Sequence, residues 1–276
     1  MLGHDLRAGI WTRRKFLLIP CALALIPLCA SIPLNIFNPE LCTLGSFLLY
    51  MFGGSLSADT LAVGEVLDIP ILWILFQTGC LLYTASYPTR DLEQAGLQFI
   101  LRGGGRVRWW LSKCTWNVLS VCIYYATTLC TMVLFCLVRR VPLTLTVSSE
   151  FAIQILPNCD VFLDVPYSEW IMGVHLILIQ VLMMVTLNLL QMFVSMFFQP
   201  IIGFIISVAI LVWSIFQTFP LAIGNYGMMQ RNSLFYSDGL DFIFAIPLLC
   251  LLCLLIIAAG GIGIKRKDIL PICAGG

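Results

Sequence analysis

Apolar residues gather in six long stretches of the chain: Phe16 to Phe37, Ile69 to Tyr87, Leu111 to Val138, Trp170 to Phe198, Pro200 to Phe219 and Phe242 to Ile264. Each is near the ~20 residues that a helix needs to cross the hydrocarbon core of a bilayer. The pattern predicts six spans. Only Gln199 lies between the fourth and the fifth, which form either a tight helical hairpin or one long broken helix. Pro200 favours the hairpin, because proline suits a first helical turn and ends whatever precedes it.

The connections differ in kind. Asn38 to Asp68 contains glycine, serine and acidic residues without a clear period. Arg139 to Glu169 includes the alternation Leu143, Leu145, Val147, which fits a short strand or an interfacial hairpin. Pro220 to Asp241 mixes Gly224, Asn225, Gly227, Met228 and Met229. It is too apolar for a plain loop and too broken for a span. A re-entrant or surface-lying piece fits there, provided protein covers its backbone polar groups.

The connection between the second and third spans is the most informative. Thr89 can cap a helix with Asp91 and Glu93 in its first turn and Arg102 in its last, and Gly103 to Gly105 supply a stop. A helix dipole favours these charge placements. Leu92, Ala95, Gly96, Phe99 and Ile100 share one face, while Gln94, Gln98 and Arg102 fall elsewhere. An amphipathic helix over 89–102 follows, either lying on the membrane surface or docking a partner. Beyond the glycines, Arg106, Arg108, Trp109, Trp110 and Lys113 have the composition of headgroup-level anchors for the third span.

Composition agrees with lipid as the main solvent. Apolar residues make up 60% of the 276, charged residues only 11%, and mean hydropathy is +0.99; soluble domains carry about a quarter charged residues. Orientation follows from where the cations fall. With the amino terminus inside, Arg7, Arg13, Arg14, Lys15, Arg90, Arg102, Arg106, Arg108, Lys113, Lys265, Arg266 and Lys267 are internal, which is 12 of the 15 Lys and Arg residues. Only Arg139, Arg140 and Arg231 are external. That bias sets topology and puts both termini in the cytoplasm. Thr12 to Leu17 resembles a twin-arginine signal, yet the apolar run continues through Ile32, Leu34 and Ile36. It is too long for a cleavable signal core and has the length of an uncleaved anchor.

Most of the 12 cysteines lie in apolar runs, where they act as small hydrophobes, including the CxxC formed by Cys250 and Cys253. Cys42 and Cys159 fall in external segments and have the option of pairing. Within the spans, Gln180, Asn188, Gln191 and Ser195 share an arc of the fourth, and Ser207, Ser214 and Gln217 a similar arc of the fifth. Such residues either bond one span to another or line a translocation path. No charge is clearly buried within a span, which weighs against a proton- or sodium-driven carrier. His175 lies off the polar arc with no carboxylate at helical spacing, as a packing residue would.

The chemistry the chain lacks is also informative. GxxxxGK[ST], HExxH and GxSxG spacings are absent, so neither a nucleotide-binding loop nor a catalytic or metal site is expected. Without a folded basic domain, no nucleic-acid partner is expected either.

The run LQFILRGGGRVRWWLSKCTW, together with a basic amino-terminal segment and six spans, resembles the ABC-2 type permease subunits of bacterial exporters. The specific part of that likeness covers Thr89 to Trp116. It implies an all-α membrane protein of six transmembrane helices in the bacterial cytoplasmic membrane. Residues 1–15 would form an amphipathic N-terminal segment (Leu2, Leu6 and Ile10 on one face), and 220–241 an external re-entrant segment. Residues 89–102 would be a coupling helix, with Asp91, Leu92, Glu93, Gly96, Phe99, Ile100 and Arg102 meeting a separate ATP-binding subunit. That subunit would bind the ATP, a second permease subunit would complete the unit, and membrane lipid would surround it. Gln180, Asn188, Gln191, Ser207, Ser214 and Gln217 would lie on the path of a peptide, antibiotic or lipid-like substrate. The alternatives are a non-transporting immunity or assembly partner, and a secondary transporter.

Overall fold

The computed structural model describes residues 2–5, 9, 14–31, 42–56, 67–93, 95–100, 102, 105–155, 168–235, 239–240 and 244–266. Among them the chain is mostly helical and has no strand; the one β-type pairing is the isolated bridge Asn232–Leu240. The helices are α1 (Leu2–Asp5), α2 (Leu18–Ala30, entered through a 3-10 turn at Arg14–Leu17), α3 (Leu44–Phe52), α4 (Ile71–Thr84), α5 (Tyr87–Glu93), α6 (Ala95–Phe99), α7 (Arg106–Arg139), α8 (Ser149–Ile155), α9 (Glu169–Phe197), α10 (Pro200–Phe216) and α11 (Ala245–Arg266).

Three of these are long and apolar enough to cross a membrane: α7 with 34 residues, α9 with 29 and α11 with 22. The described parts of the other three expected spans are shorter, at 13 residues for α2, 14 for α4 and 17 for α10. Large apolar side chains stand exposed on α10 (Ile201, Ile205, Trp213) and α11 (Leu251, Leu254, Leu255). Contiguous exposed apolar surface of this kind needs a cover other than water.

At the α9–α10 corner the hairpin alternative is the one observed. Gln199 is extended at φ −94° and ψ 151°, and Pro200 occupies the first turn of α10. The two helices close tightly at Gly203: a Cβ there would lie 2.6 Å from the Gln191 carbonyl oxygen and closer still to the Ser195 hydroxyl. Beside them, Phe52, Phe76, Tyr124 and Tyr125 stack into an aromatic core, with Phe76 5.0 Å from Tyr124 and 5.1 Å from Tyr125 between ring centroids.

Two connections are more structured than their sequences suggest. The segment without a clear period contains α3, whose residues are all buried except Tyr50. A helix that is apolar all round shows no amphipathic period because it has no polar face. Its buried first turn needs acceptors for its amides, and the chain after α7 supplies them. Leu44 and Gly45 donate to the carbonyls of Pro142 and Thr144 at 3.2 and 3.1 Å, and the Thr43 hydroxyl donates to Thr146 at 2.6 Å. The alternation Leu143, Leu145, Val147 is therefore neither a strand nor a hairpin. It is an extended run whose alternate carbonyls meet the start of α3.

The second is 220–241. Two 3-10 turns, Ile223–Gly227 and Met229–Arg231, are buried throughout. Their backbone is covered by protein: the Trp73 indole donates to the Gly227 carbonyl at 2.6 Å, and the Gln230 amide donates to Gly53 at 2.8 Å. Residues 222–232 pack inside the helices, while Pro220, Leu221 and Ser233 stay exposed.

Candidate functional site: a buried ion cluster at the α5–α7 junction

The connection expected to be one helix over 89–102 begins at Tyr87, and its described parts are α5 and α6. Thr89 does not cap it; its hydroxyl donates backwards to the Ser86 carbonyl at 3.3 Å. Gly103 and Gly104 lie outside the described residues. Gly105, at φ +78°, turns the chain into α7.

The apolar face of this segment packs on the protein itself. Leu92 is buried in the core, and Phe99 and Ile100 are half-buried against it. Gly96 sits flush on α7: a Cβ there would lie 2.7 Å from the Asp91 carboxylate and would collide with the Trp109 indole. Arg90, Glu93, Gln98 and Arg102 point outward and are exposed. Of the residues expected to meet a partner, Glu93 and Arg102 are thus accessible, whereas Asp91, Leu92 and Gly96 are interior.

Asp91 anchors the segment to α7. Its Oδ2 lies 2.7 Å from Lys113 Nζ and accepts the Trp109 indole N–H at 2.9 Å. The same ammonium contacts Asp5 Oδ1 at the end of α1. Asp5 in turn accepts the Ser112 hydroxyl at 2.6 Å and the Tyr87 hydroxyl at 3.0 Å. Lys113 lies over the Tyr87 and Trp109 rings, 4.9 and 5.7 Å from their centroids. All three charged side chains are essentially inaccessible. Charges taken from water require such pairing and hydrogen bonding to be tolerated.

The cluster lies about two turns along α7 from its first residue. Arg106 donates to the carbonyl of Lys265 at 3.0 Å, so the start of α7 is level with the end of α11. Lys113 is seven residues further along α7, or ~10 Å at 1.5 Å per residue. Two expectations are corrected by this arrangement. Trp109 and Trp110 are not headgroup anchors: both are fully buried, and Trp110 donates to the Ile257 carbonyl at 2.8 Å. Charge is buried within the protein after all, so a lack of buried charge no longer weighs against an ion-driven carrier.

A polar stripe leads away from Lys113 along α7. Trp109, Lys113, Asn117, Ser120, Tyr124 and Thr128 recur every three or four residues, and all are buried. They share one helix face. It meets α4 and α9, where the polar arc of the fourth span sits. The Thr84 hydroxyl donates to the Asn188 side chain, Gln191 donates to the Leu81 carbonyl at 3.0 Å, and the Tyr125 hydroxyl donates to Gln77 at 2.9 Å. Asn188 and Gln191 thus bond one helix to another. Gln180 and Ser207 are buried, with side-chain polar atoms that have no hydrogen-bond partner among the described residues. Ser214 donates back to Ile210 at 2.8 Å, and Gln217 is exposed.

A second buried cation, Arg231, was expected in an external loop. Its guanidinium gathers the carbonyls at the end of α10: Ile215 at 2.6 Å, Gln217 at 3.3 Å, and that of Ser214. It also donates to the Ser55 carbonyl at 2.9 Å and to the Asn225 side chain. A cation at a helix C-terminus satisfies both the orphan carbonyls and the dipole.

The interior positions of Asp5, Tyr87, Lys113 and Arg231, and the half-buried Ser112 beside them, are not evident in the sequence. The signal present was the polar recurrence on α7, which continues the Trp109–Lys113 spacing into the span. Leu6, Ile10 and Cys159 lie outside the described residues, and Cys42 is buried. Among the described residues, no group of three or more His, Cys, Asp or Glu side chains is placed to hold a metal ion.

The fold and its exposed apolar faces define a helical protein of the membrane class, with three helices suited to crossing a bilayer. The chain belongs to DUF2705, a family of proteins of unknown function, which matches residues 28–270. No curated protein and no solved structure matches it.

Proposed function

We propose that this protein is the membrane-spanning permease subunit of an ATP-driven exporter, with six spans, cytoplasmic termini and a separate ATP-binding subunit docked on the α5–α6 segment. The observation that carries this reading is the two-sided character of that segment. Its inner side is fastened to α7 through Asp91 and Lys113, and its outer side presents Arg90, Glu93, Gln98 and Arg102. A push on the outer side would reach a 34-residue helix directly. The covered segment at 222–232 and the α1 contact with α7 are also in keeping with such a subunit. The docking face is then the charged outer side, since the apolar side is already occupied.

A photocrosslinker placed at Gln98 in the intact cell tests this. Crosslinks to a Walker-motif ATPase are expected, and they should disappear when Glu93→Arg and Arg102→Glu are combined. Crosslinking only to lipid, or to a protein without an ATPase fold, would reject the docking.

The buried cluster favours a second reading, a secondary transporter, because intramembrane charges commonly mark ion paths. Transport that persists after ATP depletion and collapses with the ion gradient would select it.

A further inference from the structure

We propose that Asp5, Asp91 and Lys113 form a two-position latch, which lets the α5–α6 segment leave α7 without stranding a buried charge. This goes beyond the exporter reading and does not depend on what the segment docks.

One buried ammonium, on Lys113, contacts two carboxylates that come from different parts of the chain. Asp91 belongs to the segment. Asp5 belongs to α1, and it is held on α7 by Ser112, the neighbour of Lys113, at 2.6 Å. If Asp91 withdrew from a simple pair, a buried ammonium would be left unpaired, which is strongly unfavourable. With Asp5 in place, Lys113 stays paired in both positions. The second carboxylate thus lowers the barrier to movement, and does more than reinforce the closed state.

The remaining geometry suits such a movement. The segment is joined to α4 by the turn at Ala85–Ser86 and to α7 through Gly105, whose φ of +78° lies in the region that glycine alone visits freely. A Cβ on Gly105 would meet nothing within 4 Å, so the joint is open on that side. Between these joints, Asp91 reaches Lys113 and Trp109, both on α7. Tyr87 bonds to Asp5 at the near end, where displacement about the Ala85–Ser86 turn is smallest.

Amide hydrogen exchange on the full chain in lipid nanodiscs tests the latch through residues 91–100. Asp91→Asn removes the charge on the moving side and should speed exchange there about tenfold, the factor that ~1.4 kcal/mol represents. Asp5→Asn still accepts hydrogen bonds but no longer balances Lys113 when Asp91 leaves, so exchange in the same residues should slow by a similar factor. Ser112→Ala weakens the hold on Asp5 without altering any charge, and should slow exchange by a smaller factor. It also serves if Asp5→Asn does not accumulate. A cluster that merely holds the fold together would loosen with either carboxylate removed. Faster exchange in Asp5→Asn or Ser112→Ala, or unchanged exchange in Asp91→Asn, overturns the latch.

Discussion

Lys113 lies 2.7 Å from Asp91 across the junction of α5 and α7, and the same ammonium holds Asp5 from the amino-terminal end of the chain. The amino-terminal α1, the α5 segment and α7 therefore meet on one buried cation. Replacing it with a residue of similar length and no charge, Lys113→Met, takes the ammonium away from both buried carboxylates. Breaking a buried pair from one side costs about 3 to 5 kcal/mol. The unfolding midpoint of the purified protein in detergent should fall sharply. The triple variant Asp5→Asn, Asp91→Asn, Lys113→Met should recover most of the loss, since the two carboxylates and the ammonium are then all neutral. A single variant as stable as the parent would mean that the cluster is hydrated and contributes little.

Arg231 makes a different kind of demand. Its donors reach carbonyls of Ser55, Ser214, Ile215 and Gln217 together with the Asn225 side chain, a spread that needs a planar fork. Lysine keeps the charge and loses the fork. Arg231→Lys should cost about 3 kcal/mol, the scale of losing one or two hydrogen bonds to a charged group. Arg231→Gln should cost at least as much. Thermal unfolding measures both. If lysine were tolerated, charge at the end of α10 would matter more than the geometry of its carbonyls.

How far these features could be read from sequence depended on what kind of pattern each one leaves. The long apolar runs of α7, α9 and α11 were legible because lipid demands length, and length is written plainly in sequence. Pro200 identified the α9–α10 corner by its fixed φ. The helix α3 was not legible, since burial on every side removes the period by which helices are recognised. Trp109, Trp110 and Lys113 were misplaced for a related reason. Aromatic and basic residues at a span's end have the same composition whether they face headgroups or a protein interior, and only the partner decides. That partner, Asp5, is 108 residues away from Lys113. The interior role of Asp91 was hidden in the same way, behind its suitability for a helix's first turn.

Close approach of backbones gives a paired prediction. Gly203 admits no Cβ without moving the Gln191 carbonyl or the Ser195 hydroxyl, whereas a Cβ on Gly261 would find its nearest neighbour, Trp110, at 3.7 Å. Gly203→Ala should therefore prise α9 from α10 and cost about 1 to 3 kcal/mol, as overpacking does. Gly261→Ala meets only ordinary contact and should be near neutral or slightly stabilising, because alanine favours the helix. The difference between the two midpoints is the quantity to measure. Equal midpoints would show that the hairpin has slack that its contacts do not suggest.

The placement of basic residues leads to the last prediction, which concerns orientation. Arg106 reaches the Lys265 carbonyl, so the cationic ends of α7 and α11 sit together, and the exposed Arg102 leads into the same end. The inner side of a membrane attracts such cationic ends. In a background lacking native cysteines, Arg102→Cys and Lys265→Cys should resist an impermeant maleimide in intact cells and react once the cells are opened. Leu221→Cys, exposed beyond the end of α10, should react in intact cells. If Arg102→Cys reacted from outside, the α5–α6 segment would face away from cellular ATP, and no cytoplasmic motor could reach it. The charged outer side of the segment would then need an external partner, and the exporter reading would fail with the orientation.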